Sequence, residues 1–99
     1  MTLSVLLSPQ AAADMNKAKA YYAAIAQPLA IAFIGELHGT LRFIQQHPKG
    51  GSLIKGRLRQ FPLERFPYLV VFAVEKDLIT VIRVFHTRQR PARKLRNKR

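Results

Sequence analysis

Residues 68–86 read YLVVFAVEKDLITVIRVFH, two apolar runs on either side of a short polar stretch. Both runs are rich in β-branched and aromatic residues, a composition typical of strands. Glu75, Lys76 and Asp77 supply a polar turn between the runs. The segment therefore predicts an antiparallel hairpin of two buried strands, over residues 68–74 and 78–85.

The first half of the chain has the periodicity of helices. Ser8-Pro9 opens an alanine-rich stretch, and a serine cap followed by proline at the first position is a typical helix start. Gln27-Pro28 ends this helix and begins a second one, which we expect to finish near Gln46. Apolar residues at steps of three and four predict the core-facing sides: Ala11, Met15, Ala18, Tyr22 and Ile25, then Ala30, Phe33, Ile34, Leu37, Leu41 and Ile44.

Two shorter segments complete the predicted sheet. Residues 3–7 form a short apolar run that predicts a buried strand, and residues 53–60 alternate loosely and predict another. Pro62 and Pro67 confine the segment before the following hairpin to an irregular connection or an edge position. The predicted fold is α+β with two layers: an N-terminal strand, an antiparallel helical hairpin and a three-stranded antiparallel meander (β-α-α-β-β-β).

Gly35 and Gly39 stand four residues apart inside the second predicted helix. Each costs roughly 1 kcal/mol relative to alanine in a helix interior. Either the glycines allow a close approach to the first helix, or the helix tolerates them. The sequence leaves both explanations open.

The composition is that of a small, basic protein. Its 99 residues include 17 Lys and Arg against five Asp and Glu, a net charge of +12, and no Cys. A cysteine-free chain has no disulfides and fits a cytoplasmic setting, and the absence of a run of 18 apolar residues predicts no membrane span. Seven of the cationic residues fall in the last thirteen positions. We therefore predict one domain over residues 1–86 and a flexible basic tail over residues 87–99.

The chain lacks the residue patterns of metal sites and common hydrolases. His38, His47 and His86 do not stand at ligand spacing from one another or from a carboxylate. Gly50 and Gly51 are not followed by the lysine of a phosphate-binding loop. We expect no metal, no cofactor and no membrane partner.

The candidate functional residues are cationic and lie in the second half. Arg57 and Arg59 are two apart on the second predicted strand, so their side chains are expected on one face. Arg65 and Tyr68 lead into the next strand. Guanidinium groups bind phosphates and carboxylates in bidentate fashion, and an aromatic ring offers a stacking surface. The competing explanation for paired arginines is an ordinary solvated face.

The end of the last strand supplies three more candidates. His86 and Arg88 share a face if the strand continues that far. Arg83 is three residues from His86, so we expect it to point to the opposite face, toward the helix layer or a partner. A histidine at the end of an apolar strand also has a structural explanation, as a hydrogen-bonded group.

In combination, these features resemble the RelE/ParE superfamily of toxins from bacterial type II toxin–antitoxin modules. The likeness covers about residues 3–91. It rests on the N-terminal strand, the Ser-Pro helix start with its Tyr21-Tyr22 pair, and the helix end near His47-Pro48. The closing stretch is similar to the ParE-like branch, often labelled plasmid stabilisation proteins: Arg65-Phe66-Pro67-Tyr68, then a strand ending in His86 followed by Arg88 and Arg90.

The resemblance implies a toxin that inhibits DNA gyrase by protein contact, without catalysis, and that a cognate acidic antitoxin neutralises. The residues expected to bind the target or the antitoxin are Arg57, Arg59, Arg65, Tyr68, Arg83, His86, Arg88 and Arg90.

Two alternatives stay open. RelE-like members are implied to cleave messenger RNA in the ribosome, and Arg65, His86 and Arg88 would then form a metal-independent endoribonuclease site. The C-terminal tyrosine of that pattern is missing, because no tyrosine follows Tyr68. The third possibility is a degenerate member that keeps the fold and antitoxin binding but has lost toxicity.

Overall fold

The structure, a computed structural model, describes residues 3–89 and has two layers, a pair of helices packed on one face of a five-stranded sheet. The α+β class is confirmed, with an N-terminal strand, two helices and then antiparallel strands. Of the predicted tail, residues 90–99 lie outside the described part. In chain order the elements are β1 (Ser4–Leu7), α1 (Pro9–Ile25), α2 (Gln27–Gln46), β2 (Ser52–Lys55), β3 (Leu58–Pro62), β4 (Tyr68–Glu75), β5 (Leu78–His86) and a 3-10 turn (Thr87–Gln89).

The strand order across the sheet is β1-β5-β4-β3-β2. Only β1 pairs in parallel, from Ser4 opposite Leu78 to Leu7 opposite Val81. The long connection that this parallel pair requires runs over residues 8–77 and includes both helices and strands β2, β3 and β4. Strand β5 extends beyond its pairing with β1, because β1 ends opposite Val81 and β5 continues to His86. This overhang leaves one end of β5 without a neighbouring strand on that side.

The sheet has one strand more than the sequence predicts. Residues 53–60 were expected to form a single strand, but they contribute to the hairpin of β2 and β3. Gly56 occupies the turn with φ +56°, a left-handed conformation that glycine adopts without steric cost. The two-residue turn at Gly56 and Arg57 therefore reverses the chain direction, whereas the alternation of apolar and polar residues alone predicted one continuous strand.

The start of helix α1 follows the prediction closely. The Ser8 hydroxyl accepts a hydrogen bond from the Ala11 N–H at 2.9 Å and donates one to the Ile82 carbonyl at 2.8 Å. The Ser8 N–H also donates to the Val81 carbonyl. One residue thus caps the helix and ties it to β5. Within residues 3–89, neither helix is both long and apolar enough to cross a membrane.

The core lies between the helices and the inner face of the sheet. Among the predicted core positions of the helices, Ile25 differs, because its side chain is 58% exposed. It is the last residue of α1, where the chain turns into α2. The fully buried residues with the largest side chains are Phe33, Leu37, Ile44, Val70, Val71, Phe72, Ile79, Val81 and Phe85.

The glycines of α2 are not packed against α1. A methyl group built on Gly35 or Gly39 would meet no atom within 4 Å outside its own helix turn. The close approach suggested by their spacing is therefore absent, and the helix tolerates them. Gly51 is different, because a methyl group there would lie 2.6 Å from the Gln60 carbonyl oxygen.

Candidate functional site

An open cleft of about 460 Å³ lies between helix α1 and the overhanging end of β5. We call it the α1–β5 cleft. It exists because β1 pairs with β5 only as far as Val81, so α1 rather than a strand borders the last residues of β5. Its walls are Asp14, Lys17, Ala18 and Tyr21 from α1, and Tyr68, Arg83, Val84 and His86 from the sheet.

An ion pair forms the floor of the cleft. The Asp14 carboxylate accepts hydrogen bonds from Arg83 Nε at 2.8 Å and Nη2 at 3.0 Å, and from the Val84 N–H at 2.9 Å. These bonds raise the pKa of Arg83 above its ordinary value, mainly through the hydrogen bond to Asp14. The guanidinium also lies over the Phe85 ring, 4.5 Å from its centroid.

A β-bulge in β5 determines which side chains near its end face the helices. Val71 pairs with Arg83, whereas Phe72 pairs with Val81, so Ile82 is an extra residue in β5. The extra residue shifts the alternation of side chains between the two sheet faces by one position. Val84, like Val81, therefore faces the helices and the core. Arg83 contacts the helix layer, as expected, through Asp14. Arg83 and His86 are on opposite faces of the regular end of β5, as predicted. Both nevertheless line the α1–β5 cleft, because the Arg83 side chain reaches Asp14 at the open edge of the strand.

Aromatic rings form the wall between the cleft and the core. The Tyr68 ring meets the His86 ring edge to face at 5.1 Å, and the Tyr68 hydroxyl donates a hydrogen bond to Tyr22. Burial is the main cause that raises the pKa of Tyr68 above its ordinary value, so its hydroxyl stays protonated and remains a donor at neutral pH. Tyr21, at the mouth, is 60% exposed.

The strand ends at His86, so the condition for a shared face of His86 and Arg88, a strand that continues to Arg88, is not met. Arg88 lies in the 3-10 turn, where it is exposed, and its N–H donates to His86 Nδ1 at 3.2 Å. This bond orients the imidazole ring in the cleft. Arg90 lies outside the described residues.

Arg57 and Arg59 do not share a face. Arg57 sits in the β2–β3 turn and forms an ion pair with Glu75 at 2.9 Å, with both side chains largely exposed. Arg59 lies on β3, and its Nη1 donates to the Gly51 carbonyl at 2.9 Å and the Lys49 carbonyl at 3.3 Å. The extra turn in the chain separates the two residues, and Arg59 holds the loop that follows α2.

Arg65 lies on a different surface from His86. The Glu36 carboxylate on α2 accepts the backbone N–H groups of Glu64 and Arg65, and Arg65 Nε lies 3.5 Å from it. Arg65 lines a second groove, of about 570 Å³, between α2 and β3. Arg57, Arg59 and Arg65 are therefore not grouped with His86 at one site.

The cleft thus combines three predicted residues with three that sequence reasoning missed. Tyr68, Arg83 and His86 were predicted, and Asp14, Lys17 and Tyr21 were not assigned to a site. A signal for the missed residues exists. Asp14 is the one acid in α1, and the spacing of Asp14, Lys17 and Tyr21 by three and four places them on one side of the helix.

The cleft offers the chemistry of a protein-binding surface. Lys17 is exposed at its edge, two tyrosines supply ring faces, and the ion pair already compensates the charge of Arg83. Such a combination suits an acidic or hydrogen-bonding segment of a partner, because tyrosine and a flanking cation are typical of interface anchors. In residues 3–89, no three His, Cys, Asp or Glu side chains are grouped in a way that could hold a metal ion.

Comparison with known proteins identifies the family. Residues 5–91 match the family model described as the ParE toxin of the type II toxin–antitoxin system, parDE. The fold is similar to a solved structure described as the chromosomal ParDE toxin–antitoxin system from P. aeruginosa, with a TM-score of 0.74 at 22% identity, over 86% of this chain and 96% of that chain. No curated protein sequence matches the chain. Because the family model spans most of its length, the chain belongs to the ParE toxin family of type II toxin–antitoxin systems.

Proposed function

We propose that this ParE-family toxin inhibits DNA gyrase by protein–protein contact in the bacterial cytoplasm, and that a cognate acidic antitoxin neutralises it. Membership of the ParE family carries the toxin assignment. The neighbour of similar fold is described as a ParDE toxin–antitoxin system, which supports an antitoxin as the resting partner. A net charge of +12 would speed encounter with such a partner.

The placement of the candidate catalytic residues favours binding over RNA cleavage. A metal-independent ribonuclease needs a base, an acid and a cation converging on one phosphate. Arg65 lines the groove between α2 and β3, His86 lines the α1–β5 cleft, and Arg88 is exposed in the turn after β5. Arg88 is bonded to His86 through its N–H, but Arg65 is separated from both, so the three groups do not converge on one phosphate. The position of Arg65 is the observation that supports inhibition of gyrase over cleavage of messenger RNA.

We place the contact with gyrase at the α1–β5 cleft. Lys17 and Tyr21 stand exposed at its edge, where a partner could reach them without any change in the fold. Val84 and Ala18 line the interior and support them. A partner would cover the exposed Tyr21 ring and the Lys17 charge. Residues buried in this way contribute most of the affinity of an interface.

Two assays on the purified chain test the proposal. We expect inhibition of gyrase-catalysed supercoiling, and no cleavage of messenger RNA on translating ribosomes. The variant Lys17→Glu should weaken gyrase inhibition at least about tenfold, because it reverses a charge at the interface. The matched control Lys55→Glu, the same charge change on exposed β2, should leave inhibition within about twofold.

Other results would overturn parts of the proposal. Ribosome-dependent cleavage that His86→Ala abolishes, with gyrase unaffected, would replace it with the endoribonuclease. No effect in either assay, and no growth arrest on expression without antitoxin, would identify a degenerate member of the family. Equal loss in Lys17→Glu and Lys55→Glu would move the gyrase contact away from the α1–β5 cleft.

A further inference from the structure

The groove of about 570 Å³ between α2 and β3, which we call the α2–β3 groove, is partly apolar. Phe43 lies in it and is 43% exposed, although its ring meets the Phe61 ring at 5.2 Å. Helix α2 supplies Gly35, Glu36, Gly39 and Phe43 to the lining, and the chain around the end of β3 supplies Phe61 and Glu64. The groove thus offers an incompletely covered aromatic ring beside two carboxylates.

The charge of the α2–β3 groove is opposite in sign to that of the whole chain. Glu36 and Glu64 are two of the five acidic residues in the sequence, and Arg65 is the one cation that they meet in the lining. The Glu36 carboxylate is engaged by the Glu64 and Arg65 N–H groups and by Arg65 Nε. Within residues 3–89, the exposed Glu64 carboxylate has no ion-pair partner. A negative charge therefore stays uncompensated there, on a chain that carries +12.

The described part of the chain ends close to this groove. Strand β3 ends at Pro62 and β5 ends at His86, on either side of the start of β4. Neighbouring strands are about 4.8 Å apart, so the two strand ends are separated by about 10 Å. The Thr87 N–H also donates to the Pro67 carbonyl at 2.8 Å. This bond fixes the turn after β5 against the loop that carries Glu64.

The segment that follows this turn has the charge and the length to reach the groove. Residues 90–99, outside the described part, read RPARKLRNKR, with six Lys and Arg, no acid and one leucine, Leu95. Ten residues span up to about 33 Å when extended, which exceeds the distance across β4. Covalent attachment gives such a segment an effective concentration on the order of 1 mM, so a weak contact is enough to hold it. A basic segment of another molecule lacks this advantage.

We propose that residues 90–99 bind the α2–β3 groove of their own chain. Leu95 would pack against the Phe43 ring, and the neighbouring cations Lys94 and Arg96 would lie beside Glu64. The contact joins the most basic segment of the chain to its uncompensated carboxylate and covers an exposed aromatic ring. This inference concerns the chain alone, so it stands or falls independently of gyrase and of the antitoxin.

The first test follows the contact by NMR with a nitroxide on the full chain. Because the chain has no Cys, Asn97→Cys gives a single labelling site. We expect the label to weaken the amide signals of Gly35 and Gly39 at least about twofold at low salt, and far less at about 0.5 M salt, where ion pairs are screened. Glu64→Lys should abolish this weakening, since it reverses the charge in the groove. The matched control Asp77→Lys, in the exposed turn between β4 and β5, should retain it.

Thermal unfolding distinguishes binding from simple repulsion by the sign of the change. If the six cations only repel the rest of the chain, removal of residues 90–99 should raise the Tm. If they bind the groove, a chain ending at Gln89 should unfold at least about 2 °C below the full chain at low salt. The full-length chain with the six cations replaced by glutamine should show the same decrease.

Three results would overturn the inference. The first is equal weakening of the glycine signals in Glu64→Lys and Asp77→Lys, or weakening centred instead on Lys17 and Tyr21 in the α1–β5 cleft. The second is a Tm that rises on truncation. The third comes from a mixture of isotope-labelled chain without nitroxide and unlabelled chain that carries it. Weakening in that mixture would place residues 90–99 on a second copy rather than on their own chain.

Discussion

Asp14 is the residue on which the geometry of the α1–β5 cleft depends most. Its carboxylate is 17% exposed and accepts two hydrogen bonds from the Arg83 guanidinium and one from the Val84 N–H. Arg83 is itself 24% exposed, so both charges are partly removed from water. Pairing of this kind contributes less than its Coulomb energy, but loss of one partner is costly because the other charge stays desolvated.

Asp14→Ala should therefore lower the free energy of unfolding by about 2–4 kcal/mol, through the unpaired guanidinium and the lost bond to Val84. Urea unfolding at neutral pH measures this. The control Arg57→Ala removes an ion pair whose side chains are 67% and 66% exposed, and should change stability by at most about 0.5 kcal/mol.

The double variant Asp14→Ala/Arg83→Met should recover part of that loss, because no unpaired charge is then buried. If Asp14→Ala costs no more than Arg57→Ala, the ion pair does not hold α1 against β5.

At the scale of elements, helix α2 and the loop after it use glycine in opposite ways. Gly35 lies within the helix and has open space around it, so nothing in the chain's own packing requires it. Gly51 follows the helix, and a side chain there would strike the backbone of Gln60 and the Phe72 ring. The same residue type is an energetic cost at one position and a steric requirement at the other.

Gly35→Ala should raise the free energy of unfolding by about 0.5–1 kcal/mol, because alanine restricts the unfolded chain and favours the helix. Gly51→Ala, the matched change, should lower it by about 1–3 kcal/mol, since β3 or the loop must shift to accept the methyl group. Thermal and urea unfolding compare the two variants. A destabilised Gly35→Ala would contradict the open space seen beside α2.

At the scale of the whole molecule, the charge distribution determines how a partner approaches. The chain carries +12, and residues 90–99, outside the described part, contain six Lys and Arg and no acid. A field of this size attracts acidic partners over about a Debye length, roughly 10 Å at 0.1 M salt. Most of the effect falls on the association rate rather than on the dissociation rate.

The association rate with the proposed acidic antitoxin should thus fall at least about tenfold between about 20 mM and 500 mM salt, as measured by stopped-flow fluorescence. A chain ending at Gln89 should associate more slowly at low salt and show a weaker dependence on salt. A full-length variant with those six residues replaced by glutamine separates charge from length and should behave like the truncation. Unchanged rates at low salt would exclude steering by this segment.

Local patterns were sufficient for both helices, the N-terminal strand and the hairpin of β4 and β5, but not for the turn that divides β2 from β3. The Ser8 cap, the prolines and the three-and-four spacing of apolar residues predicted both helices within a residue or two at each end, and the two runs about Lys76 predicted β4 and β5. These patterns involve residues that are close together in the chain, so they can be recognised from the sequence alone. The resemblance to a toxin family rested on the same local features.

The candidate site depended on contacts that no local pattern contains. Asp14 and Arg83 are 69 positions apart, and they meet because β1 ends opposite Val81 and leaves the edge of β5 open beside helix α1. The bulge at Ile82 then sets which side chains at the end of β5 face the helices. Neither the bulge nor the register of a parallel pair changes the hydrophobic alternation enough to be seen in one sequence. Long-range packing therefore determines which arginines line the cleft and which only hold loops in place.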